Sequence, residues 1–141
     1  MTFLDPRWDD LSDADWAAFS ISWIAELGGN PDVPSPPTLP WLLDDAPTAA
    51  SGYVVPMNFT ASPQAQWKFI VAAYQHGNEK SHPHLAAGPV EHLLGKHGDE
   101  YIAIVEQAAA ADPLFSKMLQ GCYQNQMSDQ VWRRVCNARG G

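Results

Sequence analysis

Cysteine is scarce: Cys122 and Cys136 are the only two in 141 residues. Two thiols make no disulfide framework of the kind that staples a small secreted domain, and their spacing matches no zinc pattern. Two reduced, buried thiols are expected instead. Long apolar runs are also lacking. No segment approaches the roughly 18 consecutive apolar residues of a membrane-spanning helix. The opening "MTFLDPRWDD" has neither the basic region nor the apolar stretch of a signal peptide, so a cytoplasmic location is expected. Positive charge is the third shortage, with eight Lys and Arg against sixteen Asp and Glu, a formal charge of −8. Residues 1–45 hold nine acids and a single base, Arg7, whereas residues 46–141 hold seven of each. Neither part offers the basic stripe needed to neutralise several phosphates, which excludes nucleic acid and an anionic membrane surface as partners. Gly-rich phosphate loops and Ser-containing nucleophile elbows are absent too.

What is present reads as one helical domain spanning 1–141. Hydrophobic residues make up 45% of the chain and six are Trp, enough to build a core. "LSDADWAAFSISWIAELGG" places Ser12 and Asp15 in capping-box spacing and stops at Gly28, a natural left-handed end. Trp16, Phe19, Trp23, Ile24 and Leu27 share one face of this first helix, residues 12–28. Residues 29–60 hold seven of the twelve prolines. They read as a long proline-rich loop, with "GYVV" as a short extended piece.

The main helical bundle is expected over 61–138. Ser62 followed by Pro63 starts a helix on which Trp67, Ile70, Val71 and Tyr74 form a stripe, with Phe69 and Ala73 opposite. Trp67 is expected in the core. Gly88-Pro89 reads as a break between a short turn and a new helical piece that stops at Gly98. "DEYIAIVEQAAAA" then gives a helix of its own. Asp112-Pro113 starts another, with Leu114, Phe115, Met118, Leu119 and Cys122 on its buried face. Ser128 caps the last, "SDQVWRRV", whose apolar side carries Val131, Trp132, Val135 and Cys136. The fold class is therefore all-α, a compact helical bundle or a small HEAT-like stack of helix pairs, with the proline-rich loop after the first helix.

Several polar clusters carry side chains that could do chemistry. In "AAGPVEHLLGKHG", Glu91 falls at the third position of a helix begun at Gly88, where a carboxylate suits the positive end. On a helical wheel His92 lies about 140° from His97, so the two cannot bind one ion. His97 fits the last turn, where imidazole can satisfy a carbonyl. "HPH", His82 to His84, with Glu79 nearby, lacks a complete metal-ligand set. Cys122 has no cationic neighbour or helix start to activate it as a nucleophile. No catalytic residue, metal or cofactor is therefore expected.

"WIAELG", "MNFTASPQAQWKFI", "AAGPVEHLLGKHGDEYI" and "MSDQVWRRV" resemble a family of small bacterial domains of unknown function. The likeness covers roughly 22–27 and 57–135. It implies a bacterial helical domain and carries no activity onto particular residues.

Charge points to an acidic protein-interaction domain for a basic protein partner, with an immunity-type protein that neutralises a bacterial toxin as its concrete form. Asp9, Asp10, Trp41, Asp44 and Asp45 are the expected partner-binding residues. The alternative is a small hydrolytic or metal-dependent enzyme, in which His76, His82, His84 or His92 meets acids from the long loop in a cleft.

Overall fold

The computed structural model describes residues 4–28 and 51–139. Every regular element among them is helical, and no strand occurs. The all-α class is as the periodicity predicts. Contacts divide the chain into two compact units, Met1–Ser81 and His82–Gly141.

The first unit opens with a 3-10 turn, Pro6–Asp10, followed by α1 (Asp13–Leu27), α2 (Ser51–Thr60) and α3 (Pro63–His76). The predicted capping box begins α1: the Ser12 hydroxyl accepts from Asp15 N–H at 3.1 Å, and the Asp15 carboxylate accepts from Ser12 N–H at 3.0 Å. Its end differs from expectation, because Gly28 is right-handed, at φ −80° and ψ −3°. The end of the expected proline-rich loop is also different: residues 51–60 are α2, with Pro56 inside it. Proline removes one helical hydrogen bond there. The helical spacing of Tyr53, Val54, Met57 and Ala61, all buried, offsets that loss by packing. Residues 29–50 lie outside the described residues.

Helix α3 starts as predicted, with the Ser62 hydroxyl accepting from Ala65 N–H at 3.1 Å and Pro63 in the first turn. Its buried face is the other one. Ala65, Gln66, Phe69, Ile70 and Ala73 are enclosed, whereas Trp67, Val71 and Tyr74 are half-buried. Phe69 is the hub of an aromatic core, its ring centroid 5.1 Å from Phe19, 5.5 Å from Trp23 and 6.5 Å from Trp16. The T-shaped crossings match the quadrupoles of such rings.

The second unit runs α4 (His82–Leu85), a π-turn (Ala86–Val90), α5 (Glu91–Ala111), α6 (Pro113–Met118) and α7 (Asp129–Ala138). Gly88-Pro89 does not break the chain. Proline in a helix lacks an N–H and collides with the carbonyl four residues back. A turn widened to i→i+5 spacing relieves that collision while the helix continues. The stop expected at Gly98 is a kink instead: only His97, at φ −128° and ψ 30°, leaves helical geometry inside α5. Gly98 is required there by a close approach, since a Cβ on it would lie 2.9 Å from a Val131 methyl of α7. Asp112 caps α6 through Leu114 N–H at 3.0 Å, but Leu114 is exposed rather than buried. Ser128 caps α7 through Val131 N–H at 3.1 Å. Leu85, Val90, Leu93, Leu94, Ile102 and Leu119 are enclosed in this unit.

Candidate partner-binding surface

Two of the expected partner-binding residues, Asp9 and Asp10, are described, and both are exposed on the 3-10 turn. Trp41, Asp44 and Asp45 lie outside the described residues. The turn is not a loose acidic tail. Trp8, between Arg7 and Asp9, is wholly buried, and its indole N–H donates to Thr60 Oγ1 at 2.8 Å. That hydroxyl in turn donates to the Pro56 carbonyl at 2.7 Å, and Asp5 N–H donates to the Thr60 carbonyl at 2.7 Å. A large buried ring and two hydrogen bonds thus pin the turn to the end of α2, and the two aspartates that follow Trp8 are held outward.

The acids nearby are used unequally. Asp5 caps the turn and pairs with Arg7 at 2.6 Å, and the Arg7 hydrogen bonds hold its carboxyl below the ordinary range. Asp15 is committed to its capping box. Asp9 accepts from the Ser62 hydroxyl at 2.6 Å while remaining exposed. Asp13 is exposed in the first turn of α1, at the positive end of the helix.

Beside Asp13 a groove of ≈ 380 Å³ opens between α1 and α3. Ala17 and Ala72 leave the space, Trp67 and Val71 border it, and Asp13 and Gln75 bring polar groups to it. The sequence reading placed Trp67 inside the core and so missed this groove. Its signal was present: α3 carries two apolar faces, and one of them had to remain at the surface unless a further element covered it.

The polar cluster of the second unit has a different character. Glu91 is only 6% exposed, and it is not the third residue of a helix begun at Gly88, because the π-turn runs on into α5. Its Oε1 accepts from the Asn125 amide at 3.4 Å, Tyr123 N–H also reaches the carboxyl, and Oε2 has no partner. Asn125 takes the left-handed conformation, φ 47°, on the loop that brings these donors. Burial raises the Glu91 pKa, and the two hydrogen bonds only partly oppose it. The Cys122 thiol donates to the Ala86 carbonyl in the π-turn at 3.3 Å. Burial, then the neighbouring Glu91, pushes that thiol up to about 12, so it stays a protonated donor and a poor nucleophile.

His92 and His97 are both half-buried. Burial and Lys96 lower the His92 pKa. His97 borders a second groove, of ≈ 320 Å³, with Gly95, Gln126 and Ser128. His82 is buried and His84 exposed, so the two imidazoles of "HPH" do not share an environment. Among the described residues no three His, Cys, Asp or Glu side chains are grouped to hold a metal ion, and no helix is long and apolar enough to cross a membrane.

No curated protein and no solved structure matches the chain. The sequence pattern of a family of unknown function, DUF6869, matches residues 44–141, more than two thirds of the chain, and the protein belongs to that family.

Proposed function

We propose that the protein is an acidic protein-interaction domain that receives a basic protein partner, and that an immunity-type protein covering a toxin's active site is its most concrete form. One observation carries the reading. The unit Met1–Ser81 holds ten acids and three bases, a net −7, whereas His82–Gly141 holds six acids and five bases, a net −1. Nearly all the net charge belongs to the unit whose acidic turn is pinned by Trp8. A surface of one sign steers an oppositely charged protein and raises its association rate. Holding that surface rigid reduces the ordering cost of binding. Trp41, Asp44 and Asp45, which lie outside the described residues, are kept as partner-binding residues on the grounds of their sequence alone.

The test uses a helix-forming peptide rich in lysine and arginine as probe, with association rates measured at low and high salt. Replacing Asp9 and Asp10 together by Asn should slow association and flatten its salt dependence while the circular dichroism stays unchanged. Replacing Asp44 and Asp45 by Asn should act in the same direction. Association kinetics of the unaltered protein that are identical at both salt concentrations would sink the acidic-surface reading.

A further inference from the structure

Among the described features, the groove between α1 and α3 combines an aromatic side chain, a carboxylate and open space in one place. Trp67 is half-buried, so it is neither part of the enclosed core nor a fully solvated ring. Ala17 on α1 and Ala72 on α3 are short, and this shortness leaves ≈ 380 Å³ beside it. Asp13 is exposed at the same groove, and Gln75 adds an amide oxygen able to accept an N–H. A purely apolar anchor would fill the space but leave the Asp13 carboxylate desolvated and unpaired, at a cost. A compact ammonium could reach the carboxylate, yet it would make little use of the indole face. An arginine side chain satisfies both: its methylene stem lies on apolar wall, its planar guanidinium stacks on an indole, and its fork grips a carboxylate with two parallel hydrogen bonds.

We infer that this groove is the pocket for one arginine side chain of the basic partner, stacked on Trp67 and paired with Asp13. The inference rests on the acidic-interaction reading and places its central contact. Charge complementarity chooses the occupant, because the unit that contains the groove carries −7. Lys68 also borders the groove but is exposed, so its flexible stem can carry the ammonium into solvent as the guanidinium enters. The chain uses the same pairing within its other unit, where the Arg139 guanidinium carbon lies 5.1 Å from the Trp132 ring centroid. The acidic turn at Asp9 and Asp10 then acts earlier, on approach, and the groove acts on the bound state.

Two lysine-flanked peptides test the assignment. They are identical except at a central residue, which is arginine in one and its neutral isostere citrulline in the other. Binding is followed on the indole N–H signals of the nitrogen-15-labelled 141-residue chain, with Trp67→Phe used to assign the Trp67 signal. The arginine peptide should shift that signal and bind about tenfold more tightly than the citrulline peptide. Asp13→Asn should remove most of that preference while leaving the circular dichroism unchanged. Trp67→Leu, which keeps an apolar side chain but removes the ring, should reduce it. Equal affinity for the two peptides, or salt-dependent binding that leaves the Trp67 signal unmoved, would overturn the groove and leave the acidic-surface reading standing. Failure of both peptides to bind at low salt would overturn the two together.

Discussion

The two units reach a packed interior by different means. In Met1–Ser81 the interior is a set of rings, Trp8, Trp16, Phe19, Trp23 and Phe69. In His82–Gly141 it is mostly aliphatic, built on Leu85, Val90, Leu93, Leu94, Ile102, Val105 and Leu119. Large rings cover much area with few residues, and they share the first interior with polar groups: Ser20, Ser22, Asn58 and Gln66 are all enclosed there. The aliphatic unit instead encloses a carboxyl group, Glu91, against a widened helical turn. The surfaces differ as much, one strongly acidic and the other almost neutral. The family match includes the whole of the second unit but begins at residue 44, so Asp9, Asp10, Asp13 and all of α1 lie outside it. Of the features proposed to meet a partner, Asp9, Asp10, Asp13 and Trp41 precede the match, while Asp44, Asp45 and Trp67 stand within it, as do the π-turn and Glu91.

The largest expected effect tests the aromatic side of this contrast. Phe69→Ala removes the hub of the ring cluster and should cost about 3–5 kcal/mol in urea denaturation. Trp67→Ala, on the same helix but half-exposed, should cost about 1–2 kcal/mol, since less of its area is withdrawn from water. Equal losses would return Trp67 to the core and remove the groove from consideration.

Backbone spacing offers the next comparison, inside the second unit. Gly98→Ala forces a methyl against Val131 and should lower stability by about 1–3 kcal/mol through overpacking. A Cβ at Gly88 meets nothing within 4 Å. Gly88→Ala should therefore be neutral or gain up to about 1 kcal/mol from its lower unfolded-state entropy. Melting temperatures of the pair decide whether α5 and α7 truly touch at Gly98.

The third measurement concerns the enclosed carboxyl. Burial raises the Glu91 pKa above its unfolded value. Its favourable contribution is then fully present below the unfolded pKa and lost as pH rises through the folded one. Glu91→Gln should consequently stabilise the protein at neutral pH, by about 1–2 kcal/mol. The gain should shrink toward zero as the pH falls into the ordinary carboxylate range. A gain independent of pH would mean that Glu91 is not the titrating group.

Arg134 and Glu106 join α7 to α5 through an ion pair, and the Arg134 hydrogen bond lowers the Glu106 pKa. Both side chains keep about a third of their surface in water, 39% and 34%. Arg134→Gln should therefore lower urea stability only slightly, and less in high salt. A larger loss of urea stability would show that this pair, rather than aliphatic packing, holds the two helices.

Local chemistry determined where four of the helices, α1, α3, α6 and α7, begin. Ser12 with Asp15, Ser62 with Pro63, Asp112 with Pro113, and Ser128 each announce a helix start, because a cap is satisfied within three residues of itself. The charge partition was equally legible, since it requires only counting. Ends and faces were not. Gly28 and Gly98 carry the signature of a stop, yet the first is right-handed and the second lies in a helix that continues past a kink, where contact with Val131 governs the geometry. Pro56 and Pro89 carry the signature of a break, but buried neighbours hold α2 together and a widened turn carries the chain past Pro89. On α3 the buried stripe contains Gln66, whose Nε2 donates to the Ala61 carbonyl at 2.9 Å. A polar residue at a core position concealed that stripe, while Trp67 made the outer one look like the interior. Which of two apolar faces is covered depends on what α1 brings against α3, a contact between residues distant in sequence. Spacing along one helix carries no record of that partner, so only the tertiary structure could decide it.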